Sequence, residues 1–365
     1  MPLPPFDVDS YGPHPLEDAG FETFDNTAYF VAALAAGDVS ISRAGTYLVS
    51  SAISLANGKT VAGAAGVTLK KRVTYSHVFV NSSVAGPINN TGITLRDLTI
   101  DNNNFGSGGA ASPTSRGILN FHFVDGLTLD NISIINGDNN TFGVHLQEVQ
   151  NANITDFSYV GDKAGCQMQG GCSATLIDGF DITSHDDPFA INAEDYPANQ
   201  YSARDCSNIT IRNGTSRPHA GQAGYFLRLE TGSWLDWASG NTYKIGHCCV
   251  NAGKVYKKVN ANDQIAANAP THASGDATGA DGITWRKLYS PDVIYSSNIS
   301  NVTVHNVTLL DERIIYRYVS LDTFDHSQYP GTDGGLLDEL HTSLPATAFT
   351  NGGGVLGDTY FDEEP

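Results

Sequence analysis

The sequence predicts an all-β chain wound as a right-handed parallel β-helix, a solenoid with a short N-terminal cap helix. Three observations predict it. An eight-residue pattern recurs along the chain, and Asn, Asp or Gly stands at one fixed place in nearly every copy. Charged residues make up only 16% of the 365 positions. So small a charged share excludes a disordered chain and a coiled coil.

The pattern is clearest in Ile93–Ile100, Leu127–Ile134, Ile209–Ser216 and Val302–Leu309. More worn copies cover Ala152–Tyr159, Thr175–Ile182 and Tyr243–Val250. Each copy alternates apolar and polar residues, slips by one, then alternates again. Alternation sends every second side chain to one face of a strand. A one-residue slip would reverse that face unless the chain bends there. Two short strands joined by a bend keep both apolar sets inward. Of 28 inward positions, 25 are apolar, and the exceptions are Thr175, Gly214 and Ser216. The bend residues are Asp97, Asn131, Asp156, Gly179, Asn213, His247 and Asn306. Asn, Asp and Gly tolerate left-handed backbone, and Asn can bond the turn above it, which predicts an asparagine ladder. Successive copies start 34, 25, 23, 34, 34 and 59 residues apart. The shortest spacings approximate one coil, and the longest is expected to hide an extra one. Evenly spaced hairpin signals, which a β-sandwich would need, are few.

The elements follow in order. Residues 1–29 form a lead and cap, with Asp25-Asn26 opening a short helix over Thr27–Ala36 that Gly37 closes and that plugs the first coil. Residues 30–320 form the solenoid. After each copy comes a third short strand: Val144–Gln147, Gly165–Gln169, Phe189–Asn192, Tyr225–Glu230 and Lys254–Lys258. With the alternate members inward, the outward ones are His145 and Gln147, Gln167 and Gln169, Asn192, then Phe226, Arg228 and Glu230, then Lys254, Tyr256 and Lys258. Stacked about 4.8 Å apart, these make one polar stripe that suits an oligosaccharide lying across the coils. Residues 321–365 form an irregular tail along the outside or between chains. Cys172 and Cys206 each lie five residues before an inward position, Ile177 and Ile211. They should stack on adjacent coils as a thiol ladder or a disulfide, and no sign of export favours thiols.

Composition bounds the function. Lys plus Arg is 20 and Asp plus Glu is 39, a net charge of −19. Such a chain repels phosphate and is a poor general nucleic-acid binder. No apolar run reaches the roughly 18 residues of a membrane span. The start, Met1 to Pro5, has neither a basic stretch nor an apolar signal core. Either no signal peptide exports the protein or that segment has been removed. The five cysteines have no zinc spacing.

Asp186 and Asp187 enter the stripe beside Asp162. Glycoside hydrolysis needs an acid for the leaving oxygen and a base for water, and clustered carboxylates push their pKa values apart. Water attack with inversion needs room between the two, so Asp162 with one of the pair is the expected split. The competing readings are a turn acid pair and a calcium site, which Glu194, Asp195 and Asp205 would strengthen. Arg228 and Lys254 could pair with a carboxylated sugar. In a lyase, an Arg or Lys would remove the proton beside that carboxyl. Trp234 and Trp237 could stack on sugar faces, or pack as loop aromatics.

The segments Phe6–Gly12, Asp25–Ala28 and Ala44–Val49 together resemble the start of pectate-lyase-like right-handed β-helix proteins, which include polysaccharide-cutting enzymes and phage tailspike depolymerases. Ser184–Asn192, with Asp186-Asp187, is similar to the Asp-Asp segment of polygalacturonase-like glycoside hydrolases. Gly161–Met168 stands where their first motif belongs, with Asp162 two residues from the expected place. Gly221–Arg228 stands where their histidine motif belongs. The histidine is missing there, and His219 is the nearest substitute. Gly253–Lys258 is the only counterpart of their fourth motif. The resemblance implies a polysaccharide-degrading hydrolase with Asp162, Asp186 and Asp187 catalytic. His145, Gln167, Asn192, His219, Arg228, Glu230, Lys254 and Trp234 would bind substrate. No cofactor is required by it, and no metal ligand set is assigned. The alternatives are a lyase using calcium and an Arg or Lys base, and a non-catalytic carbohydrate-binding tailspike or adhesin. The setting implied is secreted or virion-associated, the partner a polysaccharide, and the assembly, by analogy to tailspikes, a homotrimer.

Overall fold

The computed structural model describes residues 12–74, 77–83, 88, 90–105, 116–193, 205–219, 224–233, 237–243, 248–260, 264–289, 296–297 and 299–310. It also describes the strand backbone at 6–7, 316–320 and 359–360. Two long parallel sheets wind through it. One runs in the order Val39–Ile41, Thr60–Gly63, Asn90–Asp101, Val124–Gly137, Asn153–Gly161, Ser173–Ser184, Cys206–Pro218 and Ile299–Leu309. The other runs from Ile53–Leu55 through Phe79–Asn81, Gly117–His122, Phe142–Gln147, Cys166–Gln169 and Phe189–Asn192 to Leu227–Ser233. The chain alternates between them, and each strand pairs in parallel with its counterpart one coil on. That is a parallel β-helix, and parallel crossovers of this kind are right-handed.

The register matches the repeat. Leu95, Leu129, Ile154, Ile177, Ile211 and Val304 stand in line, and all are buried. The bends are left-handed as expected: Asp97, Asn131, Asp156, Asn213 and Asn306 have φ between 50 and 58°, and Gly179 has 80°. Asn131 Nδ2 donates to Asp97 Oδ1 at 2.9 Å, and Asn306 Nδ2 to Asn213 Oδ1 at 2.6 Å. The ladder breaks at Gly179, where a Cβ would come within 2.8 Å of Asp156 Oδ1. A second left-handed corner, not foreseen from the sequence, lies five residues earlier in each coil. It is formed by Gly92, Gly126, Asn151, Ala174, Asn208 and Asn301, with φ between 51 and 78°.

Two of the three inward exceptions carry a cost. The hydroxyls of Thr175 and Ser216 are buried without a hydrogen-bond partner among the described residues. Gly214 is different: a Cβ there would lie 2.3 Å from the Phe180 ring, so the glycine makes room for that ring. Cys172 and Cys206 are buried free thiols, and Ser207 N–H donates to Cys172 O at 3.1 Å. The cap helix spans Thr27–Ala36 and buries Phe30, Ala33 and Leu34. Its N-terminus is held by Asp25 Oδ1, which accepts from Thr27 N–H at 3.0 Å.

One expectation fails. Tyr243 and Cys248–Val250 lie in antiparallel pairs, not in a coil, and among the described residues no coil is hidden in the longest spacing. Cys206–Pro218 pairs directly with Ile299–Leu309. Between them sits an antiparallel unit whose four-stranded sheet orders Cys248–Asn251, Lys254–Lys258, Thr284–Tyr289 and Asp276–Thr278. It has its own small core of Tyr243, Cys249, Tyr256, Ala266, Ile283 and Trp285. Alternation is common to strands of either kind, so apolar spacing alone could not separate a rung from a hairpin. His247 and most of the tail, 321–358, lie outside the described residues.

Candidate active site at one corner of the coils

The site is built where the long bent strand ends and the chain turns into the second sheet. Backbone bonds stack this corner from coil to coil. Asp162 N–H donates to Gly137 O at 3.1 Å, His185 N–H to Gly161 O at 3.1 Å, and His219 N–H to Ser184 O at 2.8 Å. Ser184 Oγ donates to Asp186 O at 2.7 Å and closes the turn that carries the acid pair.

Each of the three carboxylates faces a different basic side chain. Asp162 Oδ1 and His219 Nδ1 are 2.9 Å apart, with 45% and 41% of their side chains exposed. Asp186 Oδ2 lies 2.6 Å from Lys163 Nζ. Asp187 is only 5% exposed, and its Oδ2 stands 4.0 Å from an Arg228 guanidinium nitrogen. Its Oδ1 accepts the Tyr225 N–H at 2.7 Å. That approach needs Gly224, where a Cβ would meet Asp186 C at 2.3 Å and Asp187 N at 2.4 Å.

The electrostatics divide the adjacent pair. Burial works against charge on Asp186, but Lys163, with Arg228 and the Asp187 N–H behind it, holds that carboxyl below the ordinary range. Burial, then the negative Asp186 beside it, pushes Asp187 up to about 6 despite Arg228 and the Tyr225 N–H. The corner therefore holds one carboxylate that stays charged and one carboxyl that keeps its proton in mildly acidic solution. Lys163 and Arg228 already face the pair, so it does not fit a calcium ion. Among the described residues no group of three or more His, Cys, Asp or Glu side chains could hold a metal. Asp205 is exposed, and Glu194 and Asp195 lie outside the described residues.

The structure brings Asp162, Asp186, Asp187, His219 and Arg228 together and separates them from the other candidates. The polar stripe is stacked in register, His145 beside Gln167 and Gln169 beside Asn192. It is not an open groove. His145, Gln147, Gln167, Gln169 and Asn192 are all buried, none more than 3% exposed. His145 Nδ1 accepts the Arg116 N–H at 3.2 Å, and Nε2 lies 2.8 Å from Gln169 Oε1. Strand alternation shows which face a side chain takes, and nothing in it says whether other chain covers that face. Phe226 is a core residue, with its ring 6.2 Å from Phe180 and 5.5 Å from Phe189. Lys254, Tyr256 and Lys258 belong to the antiparallel unit, not to the stack. The backbone of Glu230 pairs with Asn192. Trp234 lies outside the described residues, and Trp237 packs against the core of the antiparallel unit.

Two features of the corner carry no strong sequence signal. Lys163 stands in the segment aligned with the first polygalacturonase motif, but that motif offers no reason to single out a lysine. The Tyr225 N–H is backbone, and only the glycine before it hints at close approach.

No family model matches the chain, and no curated protein matches it. Solved structures do. It is similar to a family 28 exopolygalacturonase of Yersinia enterocolitica, at 12% identity over 86% of this chain and 70% of that one, with a TM-score of 0.43. It is similar to PfbA, a surface adhesin of Streptococcus pneumoniae, at 13% identity over 87% and 78% with a TM-score of 0.42. It is also similar to bacteriophage phi29 gene product 12, at 14% identity over 62% of this chain with a TM-score of 0.42. The chain spans 37% and 47% of the two gene product 12 structures it matches. A phage tailspike and a mannuronan epimerase module are among the similar structures.

Proposed function

We propose that the chain is a polysaccharide-cleaving glycoside hydrolase whose acid is Asp187. The observation that supports this most is the divided pair, a carboxyl raised to about 6 beside a carboxylate held charged by Lys163. In the reaction the Asp187 carboxyl gives its proton to the glycosidic oxygen as the C–O bond breaks. Asp162, on the neighbouring coil and open to solvent, takes a proton from the attacking water, whose oxygen forms the new C–O bond. Asp186 keeps its charge and so keeps Asp187 protonated, and it favours the positive charge that develops on the sugar ring. Arg228 would meet a sugar carboxylate.

The test is incubation with acidic polysaccharides and bacterial exopolysaccharides. New reducing ends without ultraviolet double-bond absorbance support the proposal. Reducing ends with that absorbance indicate a lyase, and binding without cleavage indicates an adhesin; either refutes it. We further propose that the protein acts outside the cell or on a virion and, by analogy to tailspikes alone, assembles as a homotrimer, which light scattering checks. No helix among the described residues is long and apolar enough to cross a membrane.

A further inference from the structure

Lys163 is built into the corner more firmly than a surface lysine. Its backbone N–H approaches the Tyr159 hydroxyl at 3.4 Å, its ammonium lies 5.9 Å from the centroid of the Phe142 ring, and its side chain is 14% exposed. Tyr159 is itself fixed. Glycines from three turns close on its ring, and a Cβ at Gly137, Gly143 or Gly161 would come within 2.4 to 2.7 Å of it. The ammonium ends 2.6 Å from Asp186 Oδ2. A lysine placed by a buried phenol, an aromatic face and a carboxylate cannot trade partners as a solvated one does.

We propose that Lys163 is a positioning residue that fixes Asp186 as the permanently charged member of the pair and so leaves the exchangeable proton on Asp187. The two carboxylates sit on one turn, so without an asymmetry they would share a proton between them. Arg228 favours charge on both carboxyls, so it does not set Asp186 apart from Asp187. It stands on the Asp187 side, 4.0 Å from Oδ2, where it opposes the proton. The Asp187 N–H donates to Asp186 Oδ1 at 3.0 Å and supports its charge, and among the other described groups none singles out Asp186 as Lys163 does. Asp162 is engaged with His219, Tyr159 is buried and neutral, and the Tyr225 N–H favours charge on Asp187, the opposite of what is needed. His185 contributes its backbone to the corner, through Gly161 O and Gly224 N–H.

The inference deepens the hydrolase reading and rests on it for its consequence, but its test needs no substrate. Carbon-13 NMR of aspartate-carboxyl-labelled protein follows both groups, with Asp186→Asn and Asp187→Asn assigning the signals. In the wild type the Asp187 carbon should titrate near 6 and the Asp186 carbon should stay silent well below that. In Lys163→Met the Asp186 midpoint should rise by about one to three pH units, the span an adjacent opposite charge commands, and merge with the Asp187 step. Lys163→Arg should restore the separation. Lys163→Gln keeps a polar head over Phe142 and gives the same reading should methionine disturb the turn. An Asp186 carbon that titrates in Lys163→Met and Lys163→Gln as it does in the wild type would overturn the proposal. If no polysaccharide is cut while the two carbons behave as described, the hydrolase reading falls and the proton order stands.

Discussion

Gly224→Ala should damage the acid without touching its side chain. The added Cβ would meet Asp186 C at 2.3 Å and Asp187 N at 2.4 Å, where ordinary contact begins near 3.4 Å. The two backbones must therefore part by about 1 Å. Both contacts are backbone atoms inside stacked coils, so neither can swing aside, and overpacking of this kind costs about 1–3 kcal/mol. The same parting stretches the 2.7 Å bond from Tyr225 N–H to Asp187 Oδ1 beyond hydrogen-bond range. That bond favours the charged carboxylate, so its loss should lift the Asp187 midpoint further above about 6. A misplacement near 1 Å lowers turnover by about 10²-fold. Thermal melting, turnover and the Asp187 titration are measured together. A variant with wild-type melting and turnover, or one whose Asp187 midpoint stays in place, would refute the close-approach reasoning.

Three other outcomes are expected. Asp187→Asn should keep the fold and lower turnover by roughly 10²–10⁴-fold, whereas Asp186→Asn should move the alkaline limb of the pH profile downward because Asp187 loses its charged neighbour; equal, pH-independent losses in the two would contradict the assigned roles. Stability should fall as pH drops from about 6.5 toward 4, because burial holds His77 down to about 4, His145 to about 3 and His122 well below its ordinary value, so unfolding takes up these three protons. Asp187 releases one, and the net two protons near pH 5 correspond to about 3 kcal/mol per pH unit, read as urea midpoints at pH 7 and pH 5. Thr175→Val should raise stability by about 1 kcal/mol by replacing a buried unpartnered hydroxyl with a methyl of the same shape, and a lower melting temperature would count against it.

The repeat was legible because a solenoid writes its geometry locally. Inward positions, bend residues and the Cys172–Cys206 neighbourhood all follow from periodicity within single coils. The second left-handed corner escaped notice because Gly92, Asn151 and Ala174 share no chemistry, only a backbone angle. The site was half legible. Asp162, Asp186 and Asp187 stood out as acids in familiar places. Lys163 did not, because which carboxylate a lysine reaches depends on a neighbouring coil. The polar stripe misled for the same reason: His145 and Asn192 read as binding groups until the covering of that face is known.

The antiparallel unit also bears on how the chain finds its fold. Along most of the solenoid a strand waits for a partner only one coil away, as with Asp130 and Thr155, 25 positions apart. Asn213 must find Asn306 across 93. By loop-closure entropy the longer search costs only about 1 kcal/mol more, which a finished rung easily outweighs. Its effect is on timing. Long-range closure slows folding, so the coils up to Cys206–Pro218 can zip in sequence while Ile299–Leu309 arrives late. An insertion at this junction therefore delays the last rung and scarcely weakens it, which makes it a place where the chain can gain or exchange a module and keep the corner that holds the carboxylates.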